Sequence, residues 1–286
     1  MKYTKINADD NYTGLARVHR NELYSKATGV DLYLDVIRPW NTDNGKTYPL
    51  IVFVQGSAWT TPDRDYELPQ LCCLSKQGYV IATINHRDTQ KGQPVPAFLK
   101  DTKCAIRFLR ANAKKYGIDP ERVAIFGTSS GGNTALLVGL TGDDPAYKTE
   151  EYAEQSDAVK TVAECFGPTD LVARLFRYHP ATPREQVERT CKAFFGTANE
   201  EEAKKVAASI SPLKLIDEKK DYPPMLIMQG NKDLSVPFDQ SMDFAKRMEE
   251  AGKEVEFIEV DGAGHEGNFW SLKLWDMILD YFRRTL

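Results

Sequence analysis

The stretch GTSSGG, Gly127 to Gly132, places two adjacent hydroxyls between glycines, directly after the apolar run RVAIF and directly before NTALLVGL. A serine at a sharp turn from strand to helix is exposed to a substrate. It also faces the first amides of the helix, which favour developing negative charge. Side chains two positions to either side would crowd such a turn, so glycine is expected there. Centred on Ser129, the flanking glycines are Gly127 and Gly131; centred on Ser130, the first would have to replace Thr128. Ser129 is therefore the expected nucleophile. A glycine-rich turn that merely caps a helix gives the same five residues, and the strand before and helix after are what favour the chemical reading. No Gly-Lys-Ser or Gly-Lys-Thr follows, so the turn is not a phosphate-binding P-loop.

A serine hydroxyl attacks poorly until a base takes its proton, and the base must be oriented by an acid. His265 stands in VDGAGHEG, a glycine-flanked loop after the apolar run VEFIEV, and is the expected base. His86, in INHRD after another such run, is its rival; His19 and His179 fall in segments where surface roles are expected. Asp233, in MLIMQGNKDLSVP, follows a run suited to a strand and is the expected acid. Asp261 lies so near His265 in sequence that it makes a less usual orienter.

These three residues meet only if their loops share one edge of a sheet. The runs DLYLDVI, PLIVFV, YVIATI, RVAIF, KTVAECF, PPMLIMQ and VEFIEV suit strands, with helix-like segments between most of them. That alternation predicts an α/β fold with a mostly parallel sheet covered by helices on both faces, loops of one kind gathering at its carboxyl edge. PAFLKDTKCAIRFLRANAKKY and FDQSMDFAKRMEEAG carry the clearest helical spacing, the second ending in a glycine suited to a helix end. VHRNELY and DLYLDVI have only a turn-like stretch between them, which predicts an antiparallel hairpin at the N-terminal end. One α/β domain over 1–286 is expected, with a small helical cap at about 168–211 interrupting the alternation.

The chain has 286 residues, of which 42% are hydrophobic and 27% charged, enough for a substantial core. A formal net charge of -4 with dispersed Lys and Arg argues against a nucleic-acid partner. The five cysteines, an odd number without CxxC spacing, read neither as a disulfide framework nor as a zinc site. No apolar run is long enough to span a bilayer, and the first dozen residues lack a signal-peptide core. A cytoplasmic protein is expected, or a secreted or periplasmic one had a leader been removed. Its partner is expected to be a small-molecule or oligosaccharide ester rather than a membrane or nucleic acid.

The segments AIRFLRANAKKYGIDPERVAIFGTSSGGNTALL, FGPTDL and PPMLIMQGNKDLSVPFDQSMDFAKRMEEAGKEVEFIEVDGAGH resemble the α/β-hydrolase esterases. The group they resemble within these is the bacterial acetylxylan and feruloyl esterases, which border the hormone-sensitive-lipase-like and formamidase families. The order Ser129, Asp233, His265 is the one that fold uses. The resemblance implies a carboxylic-ester hydrolase working through an acyl-enzyme without metal or organic cofactor, on acetyl or feruloyl esters of plant-polysaccharide fragments. A formamidase or peptidase with the same triad, and a binding protein that has lost catalysis, are the alternatives. Where such relatives carry His-Gly-Gly-Gly, this chain has QGSAW, so the backbone N–H groups of Ser57 and Ala58, with that of Ser130, are the implied oxyanion hole. Gln55 stands in place of the histidine. NHRD replaces the usual Asn-Tyr-Arg-Leu, which makes His86 a pocket or structural residue. Trp59, Phe98 and Tyr178 join it as candidates for contact with an aromatic acyl group or a sugar ring, although core packing explains aromatic residues equally well.

Overall fold

The computed structural model describes residues 1–10, 12–26, 29–40, 45–176 and 182–286. Its centre is an eight-stranded sheet formed by β1 (Ala16–Ser25), β2 (Leu32–Pro39), β3 (Tyr48–Val54), β4 (Val80–Ile84), β5 (Ile118–Thr128), β6 (Thr161–Cys165), β7 (Met225–Gly230) and β8 (Val255–Val260). Their spatial order is β1-β2-β4-β3-β5-β6-β7-β8. The expected hairpin is present: β1 and β2 pair antiparallel, β2 meets β4 antiparallel, and every later neighbour is parallel. The inner strands are mostly apolar because both of their faces are covered, with Glu164 of β6 and Gln229 of β7 as buried polar exceptions.

The helices are α1 (Leu68–Lys76), α2 (Ala97–Ala111), α3 (Ala113–Tyr116), α4 (Ser130–Leu140), α5 (Leu171–Leu175), α6 (Arg184–Phe195), α7 (Glu200–Ser209), α8 (Pro212–Leu215), α9 (Phe238–Glu250) and α10 (Leu272–Thr285). Strand residues alternate between the two faces. Leu50, Val52, Val54 and Ile125 face α2, α4 and α9, whereas Ile51, Phe53, Ala124 and Phe126 face α1 and α10. The single helix expected over 96–116 is broken at Asn112, where the backbone turns to φ −105° and ψ 19°, and the side-chain amide shares the Phe108 carbonyl, at 2.9 Å, with the backbone N–H.

Between β6 and β7 the chain runs through α5 to α8, the stretch expected to form the cap; residues 177–181 within it lie outside the described residues. Asp157 lies buried between Lys103 at 2.6 Å and Arg107 at 2.8 Å, both themselves buried, and so clamps α2 to the segment that leads into β6. All five cysteines are free thiols, three of them buried. No helix among the described residues is long and apolar enough to cross a membrane.

Candidate active site

Ser129 joins the end of β5 to the start of α4 with φ 51° and ψ −120°, a conformation that non-glycine residues rarely adopt. The flanking glycines permit it. A Cβ at Gly127 would strike the Gly131 carbonyl, and one at Gly131 would strike the Val54 carbonyl at the end of β3. The Ser129 amide donates to the Cys165 carbonyl at 2.9 Å, which fixes the turn to β6. The serine hydroxyl is thus held at the carboxyl edge of the sheet.

His265 follows β8 and Asp233 follows β7, and the fold joins all three residues in one hydrogen-bonded line. His265 Nε2 lies 3.0 Å from Ser129 Oγ, and His265 Nδ1 lies 2.7 Å from Asp233 Oδ2. Asp233 Oδ1 accepts the backbone N–H groups of Ser235 at 2.7 Å and Val236 at 2.9 Å, while Gln229 Nε2 donates to Oδ2 at 3.0 Å. Burial works against ionisation of Asp233. The bond to His265 and the two amides outweigh that penalty and hold the carboxyl below its ordinary range. The other acids of this loop face elsewhere: Glu259 and Asp261 both accept from Asn231 Nδ2.

The loop after β3 approaches the serine from the other side. Gln55, the departure from the histidine of related loops, braces it by accepting the Asp63 N–H at 2.7 Å. Gly56 N–H donates to Thr128 Oγ1 at 2.9 Å, and Ser57 and Thr60 exchange further hydrogen bonds. Ala58 and Trp59 have φ of 52° and 58°, turning the chain sharply beside Ser129. Of the three expected oxyanion donors, Ser57 N–H is already engaged, donating to Ser130 Oγ at 2.9 Å. The amides of Ala58 and Ser130 have no acceptor among the described residues.

The proposed contact residues lie deeper. Trp59 is 4% exposed, and Phe98 and His86 are equally enclosed. Trp59 packs edge-on against Phe194 at 5.2 Å and near Phe98 at 6.3 Å, and its indole N–H reaches Asn133 Oδ1 at 3.3 Å. His86 Nδ1 sits 2.8 Å from the Arg87 carbonyl, and burial lowers its pKa. The three are joined by ring contacts, Trp59 to Phe98 and Phe98 to His86. Tyr178 lies outside the described residues.

Two neighbours of the site were not evident from sequence. Phe166, at φ 44°, lays its ring 4.6 Å from that of His265. Gln229 supports Asp233, and the one legible sign of it was a polar residue at the end of the apolar run MLIMQ.

A mostly parallel sheet with an antiparallel beginning, helices on both faces, and a serine, an aspartate and a histidine meeting at the carboxyl ends of β5, β7 and β8 define an α/β-hydrolase fold. The chain belongs to the BD-FAE family, whose profile matches residues 34–248. It is similar to Esterase LipC of Mycobacterium tuberculosis, 30% identical over 226 residues that cover 77% of this chain and 53% of LipC. The chain thus spans about half the length of the curated relatives it matches. Among solved structures it is similar to a truncated carbohydrate esterase from gut microbiota, 28% identical, covering 98% of this chain and 99% of that one with a TM-score of 0.77. It is also similar to the butyrate-bound esterase Est2 of Thermogutta terrifontis, 26% identical, covering 93% and 92% with a TM-score of 0.74.

Proposed function

We propose that this protein hydrolyses carboxylic esters through an acyl-enzyme formed on Ser129. The observation that carries the proposal is the line Ser129 Oγ, His265 Nε2, His265 Nδ1, Asp233 Oδ2, with contacts of 3.0 and 2.7 Å. Ser129 Oγ attacks the ester carbon as its proton passes to His265 Nε2. The C–O bond to the alcohol then breaks, and the alcohol leaves with that proton. Water repeats the sequence on the acyl-enzyme: its proton goes to His265, its oxygen to the acyl carbon, and Ser129 is restored. Throughout, Asp233 holds the imidazole by Nδ1–H.

The amides of Ala58 and Ser130 receive the oxyanion, joined by that of Ser57 when it turns from Ser130 Oγ. Protein groups and water supply every step, with no metal or organic cofactor called upon. The substrates we propose are acetyl or feruloyl esters on plant-polysaccharide fragments. The likeness over nearly the full chain to a carbohydrate esterase supports this substrate class. Trp59, Phe98 and His86 are the residues we propose as the floor of the substrate pocket, with Tyr178 as a further contact for the acyl group or sugar ring.

A fluorophosphonate probe tests the mechanism. It should label the wild-type chain covalently and leave Ser129→Ala unlabelled; labelling that survives Ser129→Ala would place the nucleophile elsewhere. Turnover of p-nitrophenyl acetate, methyl ferulate and acetylated xylo-oligosaccharides tests the substrate class, and hydrolysis of the first alone would remove the polysaccharide reading.

A further inference from the structure

Glu266, the residue after His265, has φ 65° and ψ −159°. This region belongs almost entirely to glycine, because a Cβ there crowds the backbone; another residue stays in it only where its surroundings hold it. Gly267, directly after it, also takes a positive φ of 57°, so the loop turns at two consecutive residues of which only the second is a glycine. The flanks are tied down: Gly264 N–H donates to Asn268 Oδ1 at 3.0 Å, and Phe269 N–H to the Glu266 carbonyl at 3.1 Å. The Glu266 side chain itself is held by one group from across the site. Tyr66 Oη donates to Glu266 Oε2 at 2.7 Å.

Tyr66 lies in the same loop as the oxyanion donors, just before α1, and that loop is anchored at several points. Asp63 N–H is held by Gln55. Arg64 pairs with Asp35 of β2, a buried carboxylate, at 3.0 Å, and Arg20 of β1 joins Asp35 to Asp65. The tyrosine hydroxyl is therefore presented from a braced support, and the carboxylate it grips raises its own pKa to about 12, so it remains a donor at every pH where an esterase works.

We infer that Tyr66 is a positioning residue for the catalytic base: by holding Glu266 in its left-handed conformation it sets the direction of the His265 imidazole toward Ser129. The inference rests on the reading of His265 as that base. Through this bond the loop of the oxyanion hole and the loop of the base are fixed to each other, so that the donors and the proton acceptor keep one spacing. The ring of Phe166 supports the imidazole on one face; Tyr66 governs the chain that follows it.

Tyr66→Phe in the full chain keeps the ring and removes the bond. A lost hydrogen bond to a charged group and the small displacement that follows should lower kcat about tenfold, with KM and melting temperature unchanged. The decisive measurement repeats the substitution in two further backgrounds. Glycine at 266 adopts the conformation without a tether, and alanine at 266 has no acceptor. In Glu266→Gly and in Glu266→Ala alike, adding Tyr66→Phe should lower kcat no further. An equal tenfold loss in all backgrounds would show that Tyr66 acts on the substrate and would overturn the inference, as would an unchanged kcat or a change confined to KM. Fluorophosphonate labelling of the wild type, lost in Ser129→Ala, tests the underlying reading separately. Where labelling behaves so and Tyr66→Phe does not, the fault lies with the tether alone.

Discussion

At the scale of single residues, Asp233 uses its two oxygens differently, and this makes its replacement informative. Oδ1 accepts two backbone amides, so the oxygen of an asparagine at this position would stay with them and its NH2 group would face His265 Nδ1. The imidazole would then carry its proton on Nε2, toward Ser129, and could not accept another. Asp233→Asn should fold normally and lose activity on the scale of the ~10⁴-fold drop in kcat known for that change in a protease. Measured kcat within a small factor of wild type, with Asp261→Asn inactive, would name the other acid. Ser130 gives the contrasting case, because its proposed catalytic part is its amide while its hydroxyl holds the Ser57 N–H. Ser130→Ala keeps the first and frees the second, so turnover of p-nitrophenyl acetate should remain within about tenfold of wild type, the range of one neutral hydrogen bond. A dead Ser130→Ala beside a Ser129→Ala that still labels would shift the motif by one residue. That Ser129, Asp233 and His265 come together could be read from sequence because each follows an apolar run at a turn. Tyr66 and Gln229 could not, since nothing local to them shows which distant loop they reach.

At the scale of elements, β6 carries a group with consequences for stability. Glu164 sits wholly buried near Gly132, where Oε2 accepts the Gly167 N–H at 2.7 Å and Oε1 has no partner among the described residues. Burial raises its pKa to about 8, against the partial offset of that one amide. The folded chain therefore keeps a proton that the unfolded chain releases above pH ~4.5. The stability this confers is full below that point, falls by about 1.4 kcal/mol per pH unit as pH rises, and is gone above the folded pKa of about 8. Glutamine preserves the acceptor for Gly167 and cannot ionise. Glu164→Gln should melt increasingly above the wild type as pH rises from about 5 to about 8; parallel melting curves would show that Glu164 is not the titrating group. Part of the wild-type slope should persist, because Glu67, buried at the start of α1 near Glu266 and Asp63, is also raised to about 8. Element boundaries were legible where periodicity ran unopposed, as in α9. They were not where the backbone turned without a change of pattern: α2 ends at Asn112, with φ −105° and ψ 19°, and helical spacing continues past it unchanged.

At the scale of the whole molecule, the run of buried strands predicted a mostly parallel sheet, and the missing helix near the N-terminal end predicted its antiparallel beginning. The spatial order, in which β4 separates β2 from β3, follows from how crossovers pack on the sheet and has no local sign. The packing of distant segments likewise decides how much room a substrate has. Trp59 from the loop after β3 packs against Phe98 from α2 and Phe194 from α6, and Phe194 in turn meets Phe195, which stacks on Phe176. An acyl group resting against Trp59 therefore meets buried aromatic rings, and a short one is expected to fit best. Acetate and butyrate esters of p-nitrophenol should therefore be cleaved with kcat/KM at least tenfold above the octanoate, a difference of only about 1.4 kcal/mol. Trp59→Ala should narrow that gap by opening the floor, while lowering stability by about 3–5 kcal/mol, as loss of a buried tryptophan does. Octanoate cleaved as fast as acetate by the wild type would mean that the acyl chain leaves the site by another route, away from the aromatic cluster.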